Sequence, residues 1–132
     1  MQKESPKKDS LRLQKLASQF RHEIARLLVE DIFDEHLQQV TINHVKLTAD
    51  LHICRVYFTS REGKENLPAI LRAFRKCKGF LRSELAHSIR LKFTPELDFY
   101  YDDTEDMFNS VKDIFAKLDA EKSVVSENSD ED

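Results

Sequence analysis

One stretch of the chain decides its fold: Leu67-Pro-Ala-Ile-Leu-Arg-Ala-Phe-Arg-Lys-Cys-Lys-Gly-Phe-Leu-Arg-Ser-Glu-Leu85. Its apolar residues recur at intervals of three and four positions, which predicts an amphipathic helix that continues to about Ser88. Gly79 is one of only two glycines in the chain, and a glycine costs a helix interior about 1 kcal/mol relative to alanine. We therefore predict that the helix is interrupted near Gly79, either by a bend or because another molecule approaches the backbone closely there.

A helical wheel divides this stretch into a cationic face and an apolar face. The apolar face holds Leu67, Ile70, Phe74, Cys77, Leu81 and Leu85, and the opposite face holds Arg72, Arg75, Lys76, Gly79 and Arg82. One interpretation is a phosphate cradle, because helix N-termini and cations both bind anions. The alternative is a solvated basic face with a glycine needed for packing, and the pattern alone is equally compatible with both.

The segments ahead of this helix predict one helix and a hairpin. Ser10 is the predicted N-cap of a first amphipathic helix, which ends between Asp31 and His36. The segment 40–48 is rich in β-branched residues, and 52–60 alternates between apolar and polar side chains. Both are predicted strands, and the short turn between them predicts an antiparallel hairpin.

The segment after the basic helix predicts a third strand from Arg90 to Tyr101. Pro95 lies inside it, which favours a position at the edge of the sheet or a bulge. Apolar residues between Met107 and Leu118 predict a short terminal helix. The chain order then predicts an α+β sandwich, with the helices on one face of a three-stranded sheet.

The charge of the chain is unevenly distributed. Residues 1–93 hold 18 Lys and Arg against 11 Asp and Glu, a net charge of +7, whereas residues 94–132 hold 3 against 13, a net charge of −10. This asymmetry is typical of a nucleic-acid-binding body with an acidic tail, although an accidental split gives the same counts. We predict one domain over residues 10–118, a disordered N-terminus over 1–9 and a disordered acidic tail over 119–132.

The sequence lacks the signals of several functional classes of protein. No apolar run is long enough to span a membrane, and the polar N-terminus does not have the pattern of a secretory signal. Cys54 and Cys77 do not make a disulfide framework, so a cytoplasmic location is expected. No metal-ligand spacing, phosphate-binding glycine loop or nucleophile elbow occurs, so no cofactor, metal, small-molecule substrate or catalysis is expected. Asp98, Asp102 and Asp103 are interpreted as solvated charges rather than catalytic carboxylates.

Further residues could extend the cationic face. Arg55 and Lys92 could continue a basic stripe from the helix onto the sheet. Stacking on bases is possible for four aromatic residues, Tyr57, Phe99, Tyr100 and Tyr101, but alternation places some of these rings in the core without showing which one is exposed. The predicted RNA-binding residues are Arg72, Arg75, Lys76, Lys78, Gly79, Arg82, Arg55 and Lys92.

Residues 11–115 resemble the bacterial ribosome-binding factor A family. Four stretches carry the resemblance: the Arg21…Arg26 pattern, Val45-Lys-Leu-Thr-Ala-Asp-Leu-His-Ile-Cys-Arg-Val-Tyr-Phe-Thr-Ser60, Cys77-Lys-Gly-Phe-Leu-Arg82, and Pro95-Glu-Leu-Asp-Phe-Tyr-Tyr-Asp102. The resemblance implies a KH-like fold of type II, in which an interrupted Ala-x-Gly kink replaces the Gly-x-x-Gly loop. Cys77, Lys78 and Gly79 match that kink. Cys77 and Cys54 stand where alanine is common, and Phe108 stands where glycine is common.

The resemblance also implies a function. Members of the family are non-enzymatic assembly factors that bind the RNA of the small ribosomal subunit late in maturation, assist processing of its 5′ end and support growth in the cold. A cytoplasmic monomer is expected. A KH-like module that binds single-stranded messenger RNA, a protein-interaction adaptor that uses the terminal helix, and an RNA-cleaving enzyme remain as alternatives.

Overall fold

A computed structural model describes residues 6–104 and 111–119. The chain to Tyr101 forms one compact unit, and the residues from Asp102 onward belong to a second. The first unit contains α1 (Pro6–Glu30), β1 (Val40–Leu47), β2 (Ile53–Ser60), α2 (Leu67–Ile89) and β3 (Glu96–Tyr101). No helix in the described ranges is long and apolar enough to cross a membrane.

The three strands form one sheet in the order β1-β2-β3. β1 and β2 pair in antiparallel fashion, as the hairpin prediction requires, and β3 pairs with β2 in parallel. α2 is the connection that a parallel pair of strands needs. β3 therefore lies at the edge of the sheet directly after Pro95, and its predicted edge position is confirmed.

The helices pack on one face of the sheet, and the predicted α+β class is confirmed. Phe74 of α2 stacks on Phe99 of β3, with ring centroids 4.1 Å apart, and also contacts Phe58 of β2 at 5.0 Å. The predicted apolar face of α2 is the face that packs on the sheet. Residues with no exposed surface in this core include Phe20, Ile24, Leu27, Cys54, Val56, Phe58, Ile70, Phe74, Leu81, Leu85 and Leu97.

Two predicted boundaries are wrong. The N-cap predicted at Ser10 is one of them, because residues 6–10 already belong to α1. β3 begins at Glu96, not at Arg90. Arg90 instead ends α2 in the left-handed conformation (φ 57°, ψ 55°), and its N–H donates to the carbonyl of Ala86.

The predicted interruption at Gly79 is also wrong, because α2 is helical from Leu67 to Ile89 without a break. The buried residues Phe74, Leu81 and Leu85 keep helical spacing on both sides of the glycine, so core packing holds the two halves in one phase. A Cβ built on Gly79 would meet no atom within 4 Å. The glycine is therefore not needed for packing, and the fold itself gives no reason for it.

The end of the chain is described in part. Residues 111–119 are helical, which agrees with the predicted terminal helix, whereas Met107 and Phe108 lie outside the described residues. The boundaries at residues 10 and 118 and the disorder of the termini stay predictions.

We expect Gly79→Ala to stabilise the protein by about 0.5–1 kcal/mol, because alanine restricts the unfolded chain and favours a helix. Gly63→Ala is the matched control. Gly63 has a φ of +69°, so alanine there should destabilise by about 1 kcal/mol. Urea unfolding followed by circular dichroism measures both values. If Gly79→Ala were less stable than the wild type, the added methyl group would have to meet another atom. That result would contradict the open space around Gly79.

Candidate nucleic-acid interface

Three cations project from the outer face of α2. Arg72, Arg75 and Lys76 are exposed, because the buried residues of the same helix turn its opposite side toward the sheet. Within the described part of the chain, these three side chains make no hydrogen bond or ion pair. They lie within about one and a half turns of the helix, so they can meet neighbouring phosphates of one RNA strand.

Lys78 and Arg82 have protein partners instead. Lys78 Nζ lies 3.0 Å from Glu96 Oε1. Arg82 donates from Nε to the carbonyl of Pro95 at 3.1 Å and from a terminal nitrogen to the carbonyl of Thr94 at 2.9 Å. Its other terminal nitrogen lies 3.6 Å from Glu96 Oε2. Arg82 therefore anchors the connection between α2 and β3.

The same contacts act on Glu96. The hydrogen bond and the charge of Lys78, together with the charge of Arg82, lower the pKa of the Glu96 carboxyl. Its side chain is about half exposed, so water screens these ion pairs and their contribution to stability is small.

A groove of about 370 Å³ runs between α2 and the outer edge of β3. Arg75 and Lys78 lie on the helix side, while Asp98 and Tyr100 lie on the strand side. Among the described strands none pairs with the outer side of β3, so this groove combines cations, one carboxylate, an aromatic ring and the edge of a strand.

Arg55 lies on β2 and Lys92 in the connection before β3, whereas the other predicted cations lie on α2. Arg55 lies between Cys54 and Val56, which are fully buried on the helix side of the sheet. Since strand side chains alternate, Arg55 is exposed on the opposite face. Arg55 is the register partner of Asp98 on β3, and its place in a continuous stripe with the α2 cations stays a prediction. Lys92 is exposed in the connection that precedes β3.

The structure assigns the aromatic residues to two faces. Phe99 and Tyr101 contact Phe74 and Phe58 on the helix side. Tyr57 and Tyr100 stack on each other on the open face of the sheet. Alternation did not show which of these rings is exposed; Tyr100 is that ring, with 42% of its surface accessible.

Cys54 is buried in the core, and Cys77 is partly buried against it. Burial raises the pKa of Cys54 to about 12 and that of Cys77 to about 11. Both thiols are free and stay protonated at neutral pH, so neither is a reactive thiolate. Cys77 occupies the apolar face of α2 without interrupting the helix.

The family model of ribosome-binding factor A matches residues 12–115. This chain belongs to the ribosome-binding factor A family. The protein of that name from Azoarcus sp. is 38% identical over 95 residues, which cover 72% of this chain and 75% of the relative. The Psychrobacter sp. protein is 35% identical over 129 residues and 92% of each chain, and the Macrococcus caseolyticus protein is 31% identical over 86% of this chain and 99% of its own.

Solved structures share the fold. The crystal structure of ribosome-binding factor A from Thermus thermophilus has a TM-score of 0.61 at 25% identity, covering 67% of this chain and 93% of its own. A model of the Thermus thermophilus protein, fitted into a cryo-electron microscopy map of a 30S complex, has a TM-score of 0.57 at 24% identity. It covers 69% of this chain and 96% of its own.

We expect Arg82→Ala to destabilise the protein by about 1 kcal/mol, because the carbonyls of Thr94 and Pro95 lose a charged donor. Lys78→Ala is the matched control and should cost less than about 0.5 kcal/mol, because it removes only an exposed ion pair. Urea unfolding measures the free energy of unfolding of both variants and of the wild type. If both variants lost the same free energy of unfolding, the hydrogen bonds from Arg82 to the carbonyls of Thr94 and Pro95 would contribute nothing beyond the ion pair with Glu96.

Proposed function

We propose that this protein binds the RNA of the small ribosomal subunit late in its maturation and acts there without catalysis. The observation that carries the proposal is the set of exposed cations on α2, Arg72, Arg75 and Lys76, beside the groove at the edge of β3. Family membership supports it, because the relatives are named for binding to the ribosome. The 30S complex of the Thermus protein suggests which subunit to test.

The chemistry of the α2 face suits a phosphate backbone. Each phosphate that an arginine or lysine neutralises releases condensed counterions, so binding gains free energy that falls as salt rises. Binding of this kind favours whichever RNA conformation presents phosphates at the spacing of the cations. A factor of this kind can promote maturation, including 5′-end processing by a separate nuclease, with no catalytic group of its own.

Gly79 has a role in this proposal that it lacks in the fold. It is exposed on the cationic side of α2, and no atom of the protein occupies the space where its Cβ would lie. A phosphate or ribose can therefore approach the helix backbone more closely there than at any residue with a side chain. This explains a glycine that the helix would otherwise replace with a better helix former.

Lys78 and Arg82 can join the interface by exchange of partners. Their ion pairs with Glu96 are partly exposed, and such pairs are worth about 0–1 kcal/mol. An RNA phosphate can take the place of the Glu96 carboxylate at little cost. Arg55 and Lys92 are the outlying members of the predicted set, and in this proposal they meet other parts of the same RNA. The protein acts as a monomer in the cytoplasm.

We expect Arg75→Glu combined with Lys76→Glu to weaken binding to purified small subunits at least tenfold at low salt. Loss of two phosphate contacts should also reduce the slope of log K against log salt by about 1.5 to 2. Arg12→Glu combined with Lys15→Glu is the matched control, since both residues are exposed on α1 and the charge change is the same. The measurement is a binding isotherm at four salt concentrations.

Two outcomes of this experiment, and one of a separate sedimentation of cell lysate, would contradict the proposal. Unchanged affinity and slope in the α2 variant would remove this face from the interface. Equal losses in the two double variants would show a general effect of net charge. Co-sedimentation of the wild-type protein with polysomes, rather than with free small subunits, would instead favour a role on messenger RNA.

A further inference from the structure

Three rings form a row across the open face of the sheet, one from each strand. His44 of β1 stacks on Tyr57 of β2 with ring centroids 4.5 Å apart, and Tyr57 stacks on Tyr100 of β3 at 5.5 Å. The three residues are direct partners in the strand register. The row therefore runs from one edge of the sheet to the other on the face opposite α1 and α2.

A bulge in β1 brings His44 into this row. The register shifts between Ile42 and His44, so Asn43 and His44 are both exposed while Ile42 and Val45 are buried. In a regular strand, His44 would share the buried face of Ile42. The spacing of three between these two apolar residues is the sequence signal of the bulge.

Stacking between rings on neighbouring strands stabilises a sheet. Stability alone does not explain why the last ring of the row, Tyr100, is exposed. Tyr100 lies on the edge strand and keeps 42% of its surface accessible. Its inner side contacts Tyr57, and no strand of the described sheet lies on its outer side. Tyr100 also lines the groove that contains Arg75 and Lys78.

We propose that Tyr100 stacks on one unpaired base of the bound RNA, which lengthens the row of rings by one member. The inference rests on the proposed function and specifies the ligand of that site: a single-stranded nucleotide, held by its base and by its phosphate. Tyr57 and His44 are positioning residues, because they support the ring of Tyr100 from behind and leave its outer side available.

The groove provides for both parts of such a nucleotide. Arg75 and Lys78 on the helix side can neutralise the phosphate, while the base lies against the strand side. Stacking on aromatic rings combined with cations along the backbone is the general means by which proteins bind single strands. A duplex keeps its bases stacked on one another, so it cannot use Tyr100 in this way.

Asp98 gives the groove a preference among bases. It is half-buried, lies two residues before Tyr100 on the same strand face, and lines the same groove. A carboxylate repels phosphate, but it accepts a hydrogen bond from an exocyclic amino group. Cytosine carries such a group where uracil carries a carbonyl oxygen, so the groove should bind cytosine more tightly than uracil.

The test compares Tyr100→Leu, Tyr100→Phe and the control Phe33→Leu in the full-length protein. Phe33 is another exposed aromatic residue and lies outside the groove. The probes are oligocytidylate and oligouridylate of about ten nucleotides and a duplex of equal length, all labelled with fluorescein. Anisotropy gives the affinities, and thermal unfolding confirms that each variant folds.

We expect Tyr100→Leu to bind the single strands about tenfold more weakly, with an unchanged salt slope and unchanged duplex affinity. Tyr100→Phe and Phe33→Leu should bind like the wild type, since the ring or the site is intact. Asp98→Asn should remove a severalfold preference for oligocytidylate. An equal loss in Tyr100→Leu and Tyr100→Phe would assign the contact to the hydroxyl group and overturn stacking, as would an equal loss for the duplex.

The two proposals fail differently. If Tyr100→Leu binds normally while the combined Arg75→Glu and Lys76→Glu variant binds weakly, stacking is overturned and the phosphate-binding face stands. If the combined Arg75→Glu and Lys76→Glu variant also binds normally to small subunits, the proposed function is contradicted. The base-stacking proposal, which rests on it, is then contradicted as well.

Discussion

The contact between α2 and the sheet is the constraint on which the rest of this protein depends. Phe74 lies against Phe99 and Phe58, with Leu81 and Leu85 fully buried further along the helix. This packing fixes the rotation of α2 about its own axis, so the arginines and lysine of its other side must face outward. It also fixes the distance between α2 and the edge strand. The cationic face and the groove are thus both consequences of one apolar contact.

The periodicity of the sequence was enough to predict this contact and the faces of α2 and β2. It was not enough to predict that Lys78 and Arg82 bind Glu96 and the connection before β3, because those partners lie 12 to 18 residues away along the chain.

Gly79 and His44 show two other limits of sequence reasoning. Glycine has a low helix propensity, and this local cost led to the prediction that the helix is interrupted near Gly79. The buried residues on either side of it decide the outcome instead, since tertiary packing overrides propensity. At His44 a bulge adds a single residue to β1, and strict alternation cannot show where such a residue lies.

The parallel pairing of β2 and β3 has a consequence for when the groove exists. The two strands are separated along the chain by the whole of α2, so their pairing is non-local and forms only after the ends of a long segment have been brought together. The groove needs β3 in place, because Asp98 and Tyr100 form one of its sides. A chain still emerging from its own ribosome has α1, the hairpin and α2 before it has β3. The complete groove is therefore a property of the finished molecule, and a nascent copy carries only the cations of α2.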